Sequence, residues 1–321
     1  MGELTLTSSL SLQGRGRILG HRFMEEHVQY TGELPTEHGH GSPSRVSQSD
    51  PCQTVEQEEE PGSHGTIVVK IGGSTLGGHD TTIRDLVALQ KDGIQPVVVH
   101  GGANVISQWM ARQALKPRFV RGLRVTDSQS LDIVVAVLTG VVNKSVVTSI
   151  MGLGGQAVGL SGVDGGMLRA TVMDPELGLV GSVVGVNVAP IEAVAKSGFM
   201  PVIAPVAVDV SDPPTASNTF LNVNADTAAG EIAVALGVER LVFTTDVEGV
   251  MDSSHRLIPR LTERQAKGLV RSNVIAGGMV PKIEACIRAL GEVRQTHIVD
   301  GRRPHALRDT LTGKASGTRV G

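Results

Sequence analysis

Val68-Val69-Lys70-Ile71-Gly72-Gly73-Ser74 reads as a buried strand that delivers a lysine and then a glycine pair. A near-continuous aliphatic run of this length suits a strand covered on both faces. Glycines directly after such a strand let backbone N–H groups face phosphate oxygens, and Lys70 adds a full positive charge. The same residues also suit a strand that simply ends in a turn, with Lys70 at the surface. A second run, Val97-Val98-Val99-His100-Gly101-Gly102-Ala103-Asn104, ends in the same way and leads into a helix. Two strands that end in glycine pairs set two nests of N–H donors at the carboxyl edge of one sheet, where open α/β folds bind ligands. One nest suits a carboxylate. His100 reads as a structural hydrogen-bonding residue rather than a catalyst.

Outward from these two runs, short aliphatic segments alternate with amphipathic ones from residue 66 onward, the pattern of a mostly parallel sheet covered on both faces. Strands are expected over 66–71, 95–100, 157–160, 200–204, 241–245 and 296–299. Helices are expected over 82–91, 128–151, 225–236 and 281–290, stopped by Gly93, Gly152, Gly237 and Gly291, each suited to a left-handed cap.

Composition narrows the function classes. The chain has 321 residues, 40% hydrophobic and 19% charged, enough to bury a sizeable core and stay soluble. Only 2% are aromatic and 40 are glycine, so aliphatic and small side chains fill the core. A net charge of −3 from interspersed signs, without a basic stripe, argues against nucleic acid. No membrane partner is expected, because no apolar run approaches the roughly 20 residues of a bilayer span and no leader pattern is visible. Cys52 and Cys286 are too few for a disulfide framework and read as reduced thiols, so a cytoplasmic location is expected.

Residues 1–65 lack sustained apolar periodicity, carry the acidic run Glu56-Gln57-Glu58-Glu59-Glu60, and read as a disordered extension. Half of the 10 histidines fall there, at His21, His27, His38, His40 and His64, without regular ligand spacing, so a solvated tail is preferred to a metal site. A weak transit peptide and an over-long start are both open readings of its first residues.

Three further segments carry chemistry. Gly122-Leu123-Arg124-Val125-Thr126-Asp127 sets an arginine between apolar neighbours just before a helix that Asp127 or Ser128 could cap, which suits bidentate recognition of a carboxylate or, alternatively, a surface arginine near a cap. Asn222-Val223-Asn224-Ala225-Asp226-Thr227 opens another helix with ordinary capping residues. Gly277-Gly278-Met279-Val280-Pro281-Lys282 places a lysine in a first helical turn, where a cation is disfavoured unless an anion neutralises it, and a bound phosphate would do so. No G-x-x-x-x-G-K-[ST] motif occurs, and the one G-x-G-x-x-A match, at 152–157, follows a helix and precedes a strand, the reverse of a dinucleotide fingerprint.

Taken in order, Lys70-Ile71-Gly72-Gly73, His100-Gly101-Gly102, Gly122-Leu123-Arg124-Val125-Thr126, Asn222-Val223-Asn224-Ala225-Asp226, Thr245-Asp246-Val247-Glu248-Gly249-Val250 and Gly277-Gly278-Met279-Val280-Pro281-Lys282 resemble the amino acid kinase family over about residues 66–321. Leu123-Arg124-Val125-Thr126 with the 222–226 segment is similar to the branch that acts on N-acetyl-L-glutamate. The resemblance implies a three-layer αβα sandwich around a mostly parallel sheet, with an acyl-amino acid lobe and dimer face in 66–210 and an ATP lobe in 211–321. It implies ATP and Mg2+ as cofactors, no protein-held metal, and a homodimer. Lys70 and Lys282 would stabilise the phosphoryl group in flight, oriented by Asp226, with N–H groups of Gly72 and Gly73 donating to it. Gly102, Ala103, Arg124 and Asn222 would hold the acid. Asp246, Val247, Glu248, Gly249, Val250 and Met251, with Val274, Ile275 and Ala276, would line the nucleotide site. The alternatives are a kinase for a related acid, such as an aminoadipate derivative of lysine biosynthesis, and a catalytically silent amino acid or nucleotide sensor.

Three departures stand out. Ala103 replaces a usual third glycine. The helix that makes arginine-inhibited relatives hexameric is not legible before Thr66. The 305–318 stretch is shorter than in the inhibited type and lacks its usual glutamate. A dimer insensitive to L-arginine is therefore expected.

Overall fold

The strand expected over 66–71 forms with those bounds, and its alternating side chains divide between two cores. Val68 packs with Val97, Val99, Leu241, Phe243 and Ile298 on one face, while Ile67, Val69 and Ile71 pack with Val98, Val202, Val242 and Val299 on the other. Burial on both faces is the physical reason for its near-continuous aliphatic sequence. The computed structural model describes residues 65–72, 81–212, 220–314 and 317–321, all of them within a unit spanning 58–321. The extension expected over 1–65 lies outside the described residues apart from Gly65.

In chain order the first elements are β1 (Thr66–Ile71), α1 (Thr82–Lys91), β2 (Gln95–His100), α2 (Ala103–Arg112), and the hairpin of β3 (Phe119–Val120) and β4 (Leu123–Arg124). Then come α3 (Ser128–Val135), a π-helical stretch Ala136–Val142, α4 (Asn143–Gly152), β5 (Ala157–Ser161), β6 (Leu168–Val172), β7 (Gly181–Val186), α5 (Ala189–Lys196), β8 (Met200–Ala204) and β9 (Val206–Asp209). The remainder is β10 (Phe220–Asn222), α6 (Ala225–Leu236), β11 (Arg240–Thr245), β12 (Arg260–Leu261), α7 (Glu263–Arg271), α8 (Met279–Ala289), β13 (Gln295–Asp300), α9 (Ala306–Leu311) and β14 (Thr318–Val320).

Eight strands form one sheet in the order β12-β14-β13-β11-β1-β2-β8-β5. Its pairs are parallel except β13 with β14. The strand order reverses around β1, with β2, β8 and β5 to one side and β11 and β13 to the other. Such a switch point opens a crevice at the carboxyl ends of the strands. The sheet draws strands from both 66–210 and 211–321, so the two stretches share one framework. Helices cover both faces and make the fold a three-layer α/β sandwich.

The sequence reading missed a second sheet, β10-β9-β6-β7, and the β3–β4 hairpin. Strands β3, β4, β9 and β10 are short, glycine interrupts β7 and β6 carries an exposed Arg169, so they lack the aliphatic runs that mark the main sheet. The helix expected over 128–151 is one 25-residue rod, Ser128–Gly152, whose middle is π-helical. By length and mean hydropathy of 1.8 it could cross a membrane, a feature the sequence reading overlooked, but half of its apolar window is buried inside the structure. Gly152 does not cap it from outside: it is the last helical residue, and Gly154 takes the left-handed conformation at φ +81°. Gly237 does cap α6, at φ 59° and ψ 38°. Helix α8 begins two residues before Pro281, which is tolerated because the first four N–H groups of a helix have no intrahelical acceptor.

Candidate active site

Lys70 is the penultimate residue of β1, and α6 brings Asp226 against it. The α6 entrance is locked by Asn224, whose side-chain oxygen accepts from the N–H groups of Asp226 and Thr227 at 2.9 and 3.1 Å. Lys70 Nζ lies 2.9 Å from Asp226 Oδ1, and Lys282 Nζ, from the first turns of α8, lies 3.1 Å from Oδ2. All three side chains are nearly out of solvent: 8% exposed for Lys70, 7% for Asp226 and 12% for Lys282. Burial draws the Asp226 carboxyl upward, but the two ammonium charges outweigh it and hold the group below the ordinary carboxylate range. Burial lowers the Lys70 ammonium, against the pull of Asp226. Two lysines around one carboxylate leave one net positive charge. The cation in the first turns of α8 is thus matched by Asp226 inside the protein, where the sequence alone suggested a bound phosphate.

Next to this triad is a cavity of about 230 Å³ lined by Lys70, Asp226 and Lys282 together with Gly102, Ala103, Arg124 and Asn222. Gly102 packs closely against the long helix. A Cβ there would sit 2.7 Å from Leu138 Cδ2, so the glycine lets the start of α2 approach the long helix. Helix α2 has no side-chain cap, and its leading N–H groups are available to an anion. Arg124 is 7% exposed, donates through Nη2 to Ala103 O and Ser107 Oγ at 2.9 Å each, and lies 4.7 Å from the centre of the Phe119 ring. Among the described residues no carboxylate pairs with it, and burial pushes its pKa down. A guanidinium desolvated this far gains strongly from a ligand carboxylate. Asn222 Nδ2 donates to Thr126 Oγ1 at 3.0 Å, and that hydroxyl donates to Arg124 O, which ties the amide to the arginine strand.

Lys70 and Lys282 also line a second cavity, of about 210 Å³, with Gly72, Ala103, Asn104, Thr245 and Asp246. The lysines therefore form a wall shared by two compartments. Gly72 lines this cavity; Gly73 lies outside the described residues. Asp246 faces this cavity, while Val247 and Glu248 are exposed beyond it. Gly249 and Val250 turn inward: a Cβ on Gly249 would meet Thr318 Oγ1 at 2.7 Å, and the Val250 N–H donates to that hydroxyl at 2.8 Å. Met251 bridges to Leu257. Val274 is exposed, Ile275 is buried in a core, and Ile275 and Ala276 line a separate cavity of about 650 Å³. The residues expected to line the nucleotide site thus do not meet in one described cavity.

Sequence reasoning missed Phe119, Ser107 and Thr126. Phe119 carried a usable signal, being one of only 5 phenylalanines and close to Arg124 in sequence. His100 is fully buried: Nδ1 lies 3.0 Å from Gly101 O, and Nε2 lies 3.2 Å from Asn143 Nδ2. Burial pushes its pKa down to about 4, so the ring is neutral and serves as a strut.

A crevice at a switch point, lined by two lysines bridged by aspartate, is an arrangement suited to phosphoryl transfer. Residues 65–300 match the Amino acid kinase family, and the chain belongs to that family and is a kinase. It is 42% identical over 258 residues to the acetylglutamate kinase of Dehalococcoides mccartyi strain 195, covering 80% of this chain and 95% of that one. It is 46% identical over 251 residues to the acetylglutamate kinase of Thermosynechococcus vestitus, covering 75% and 83%. Among solved structures it superposes on smu.665 from Streptococcus mutans UA159 with a TM-score of 0.68 at 26% identity, over 79% of this chain and 98% of that one.

Proposed function

We propose that this chain transfers the γ-phosphoryl group of ATP to the side-chain carboxylate of N-acetyl-L-glutamate, forming an acyl phosphate in arginine biosynthesis. The observation that carries the reading is the Lys70–Asp226–Lys282 wall between a small acid cavity and a phosphate-sized one. Acetylglutamate kinases at 42% and 46% identity supply the choice of acid. In this mechanism Arg124 and Asn222 hold the α-carboxylate end, with Gly102 and Ala103 at the mouth of the α2 nest. A side-chain carboxylate oxygen attacks the γ-phosphorus, the bond to the β–γ bridging oxygen breaks, and ADP leaves with that oxygen. The nucleophile is already an anion, so no protein base is required. Positioning and charge neutralisation suffice, the terms that dominate phosphoryl transfer. Lys70 and Lys282 meet the charge on the moving group, and Asp226 holds both ammonium groups in place.

Mg2+ is normally held by one or two carboxylates and substrate phosphates. Among the described residues no cluster of three His, Cys, Asp or Glu could cage a metal, whereas Asp246 opens onto the phosphate cavity and fits an ion carried in by the nucleotide. Asp246 would hold such an ion together with the nucleotide, and the ion would supply neutralisation of phosphate charge. The Asp246–Met251 and Val274–Ala276 segments border the nucleotide in this reading. The same reading includes a cytoplasmic homodimer. The exposed stripe of the long helix, with Ala136, Gly140 and Val141 followed by Met151 at 56% exposure, offers the pairing face.

The test is a coupled ADP-release assay across N-acetylglutamate, glutamate, aspartate, aminoadipate derivatives, carbamate and UMP. The highest kcat/KM is expected with N-acetylglutamate. A higher value with an aminoadipate derivative would move the chain to lysine synthesis, and turnover with none would make it a sensor.

A further inference from the structure

At the amino-terminal edge of the main sheet, opposite the catalytic crevice, cationic side chains gather without acidic partners. Arg240 opens β11 and Gln295 opens β13 in register with it; His297 pairs with Arg319 of β14, and Arg319 pairs with Arg260 of β12. Residues opposite one another in register share a face, as do residues two apart on a strand, so these side chains stand together. With Lys314 they line a cavity of about 310 Å³, and no Asp or Glu is among its described lining residues.

The charges there are not neutralised from within. Among the described residues none of the three arginines pairs with a carboxylate, and Lys314 reaches only Asp309, at 3.6 Å, with both partners exposed. Arg240 Nη1 donates to Leu311 O at 2.6 Å, whereas Arg319 Nε is buried without a hydrogen-bond partner. Like charges on neighbouring strands destabilise a sheet, and an unmet buried donor adds the cost of its desolvation. His297 adds no charge, since burial and then the Arg319 and Arg240 fields push it down to about 4.

We propose that this cavity binds a small, multiply charged oxyanion of the phosphate type, at a site separate from the phosphotransfer centre. Guanidinium forks present paired N–H groups that match phosphate oxygens, and such a ligand relieves the Arg260–Arg319 repulsion.

The test titrates inorganic phosphate into the full chain at constant ionic strength, by calorimetry and by melting temperature. Saturable binding is expected, weakened about tenfold or more in Arg260→Gln and in Arg319→Gln, because each removes charge-assisted hydrogen bonds. Lys70→Ala is expected to retain binding, which separates this site from the lysines of the catalytic wall. Arg260 is exposed, so its variant keeps the test open if Arg319→Gln fails to fold. Unchanged affinity in Arg260→Gln, binding lost only in Lys70→Ala, or no saturable binding would each overturn the proposal.

Discussion

At the scale of the residue, the proposed mechanism divides the work of the site among a few side chains. Lys70 and Lys282 each touch one oxygen of Asp226, and the surplus positive charge is worth most when the phosphoryl group is in flight. Lys70→Ala and Lys282→Ala should each lower kcat by about 3–4 kcal/mol of barrier, a few-hundred-fold or more, with the circular dichroism spectrum unchanged. Near-normal turnover in either variant would remove that lysine from catalysis. In the same proposal Arg124 acts on the other side of the wall. Its fork is oriented by Ala103 O and Ser107 Oγ, geometry that an ammonium cannot copy. Arg124→Lys should raise KM for the acid about tenfold or more and leave KM for ATP nearly unchanged. Equal damage to both constants would move Arg124 out of the acid cavity.

At the scale of the element, the long helix staples the sheet through Asn143. Its amide donates to Val202 O at 2.8 Å and Leu160 O at 3.2 Å and meets His100 Nε2, so strands β8, β5 and β2 are tied at one point. The arrangement requires a neutral imidazole. With the folded pKa lowered from 6.5 to about 4, the unfolded chain binds the extra proton between those values, so stability is full above 6.5 and falls as pH drops toward 4. His100 alone should cost about 3 kcal/mol across that window, and His297, lowered in the same direction, adds to the slope. Urea midpoints measured from pH 7 to 4 should fall steeply in the wild type and less steeply in His100→Gln. Parallel slopes would show that His100 is not buried as a neutral ring.

At the scale of the whole molecule, the prediction concerns assembly and regulation. The cavity at the sheet edge opposite the active site is lined by arginines, and Asp309, the acid nearest in sequence to its rim, faces Lys314. Such a wall repels a guanidinium ligand. L-arginine should therefore leave activity unchanged, and light scattering should report a dimer with or without it. A hexamer, or half-inhibition at sub-millimolar L-arginine, would refute this.

The sequence by itself determined six of the eight strands of the central sheet, all but the edge strands β12 and β14, and the order of the charged motifs, because aliphatic period, capping residues and motif spacing are local properties. The bounds of β1, β2 and α1 were legible to the residue for that reason. The resemblance implied that Asp226 orients the two lysines, 156 and 56 residues away in sequence; only the tertiary structure supplied the contact distances and decided that Phe119 covers Arg124. It alone revealed the second sheet, whose short strands are specified by partners more than by their own pattern. It alone brought Arg240, Arg260 and Arg319 to one cavity, since strand register across a sheet is set by long-range packing that no stretch of sequence carries within itself.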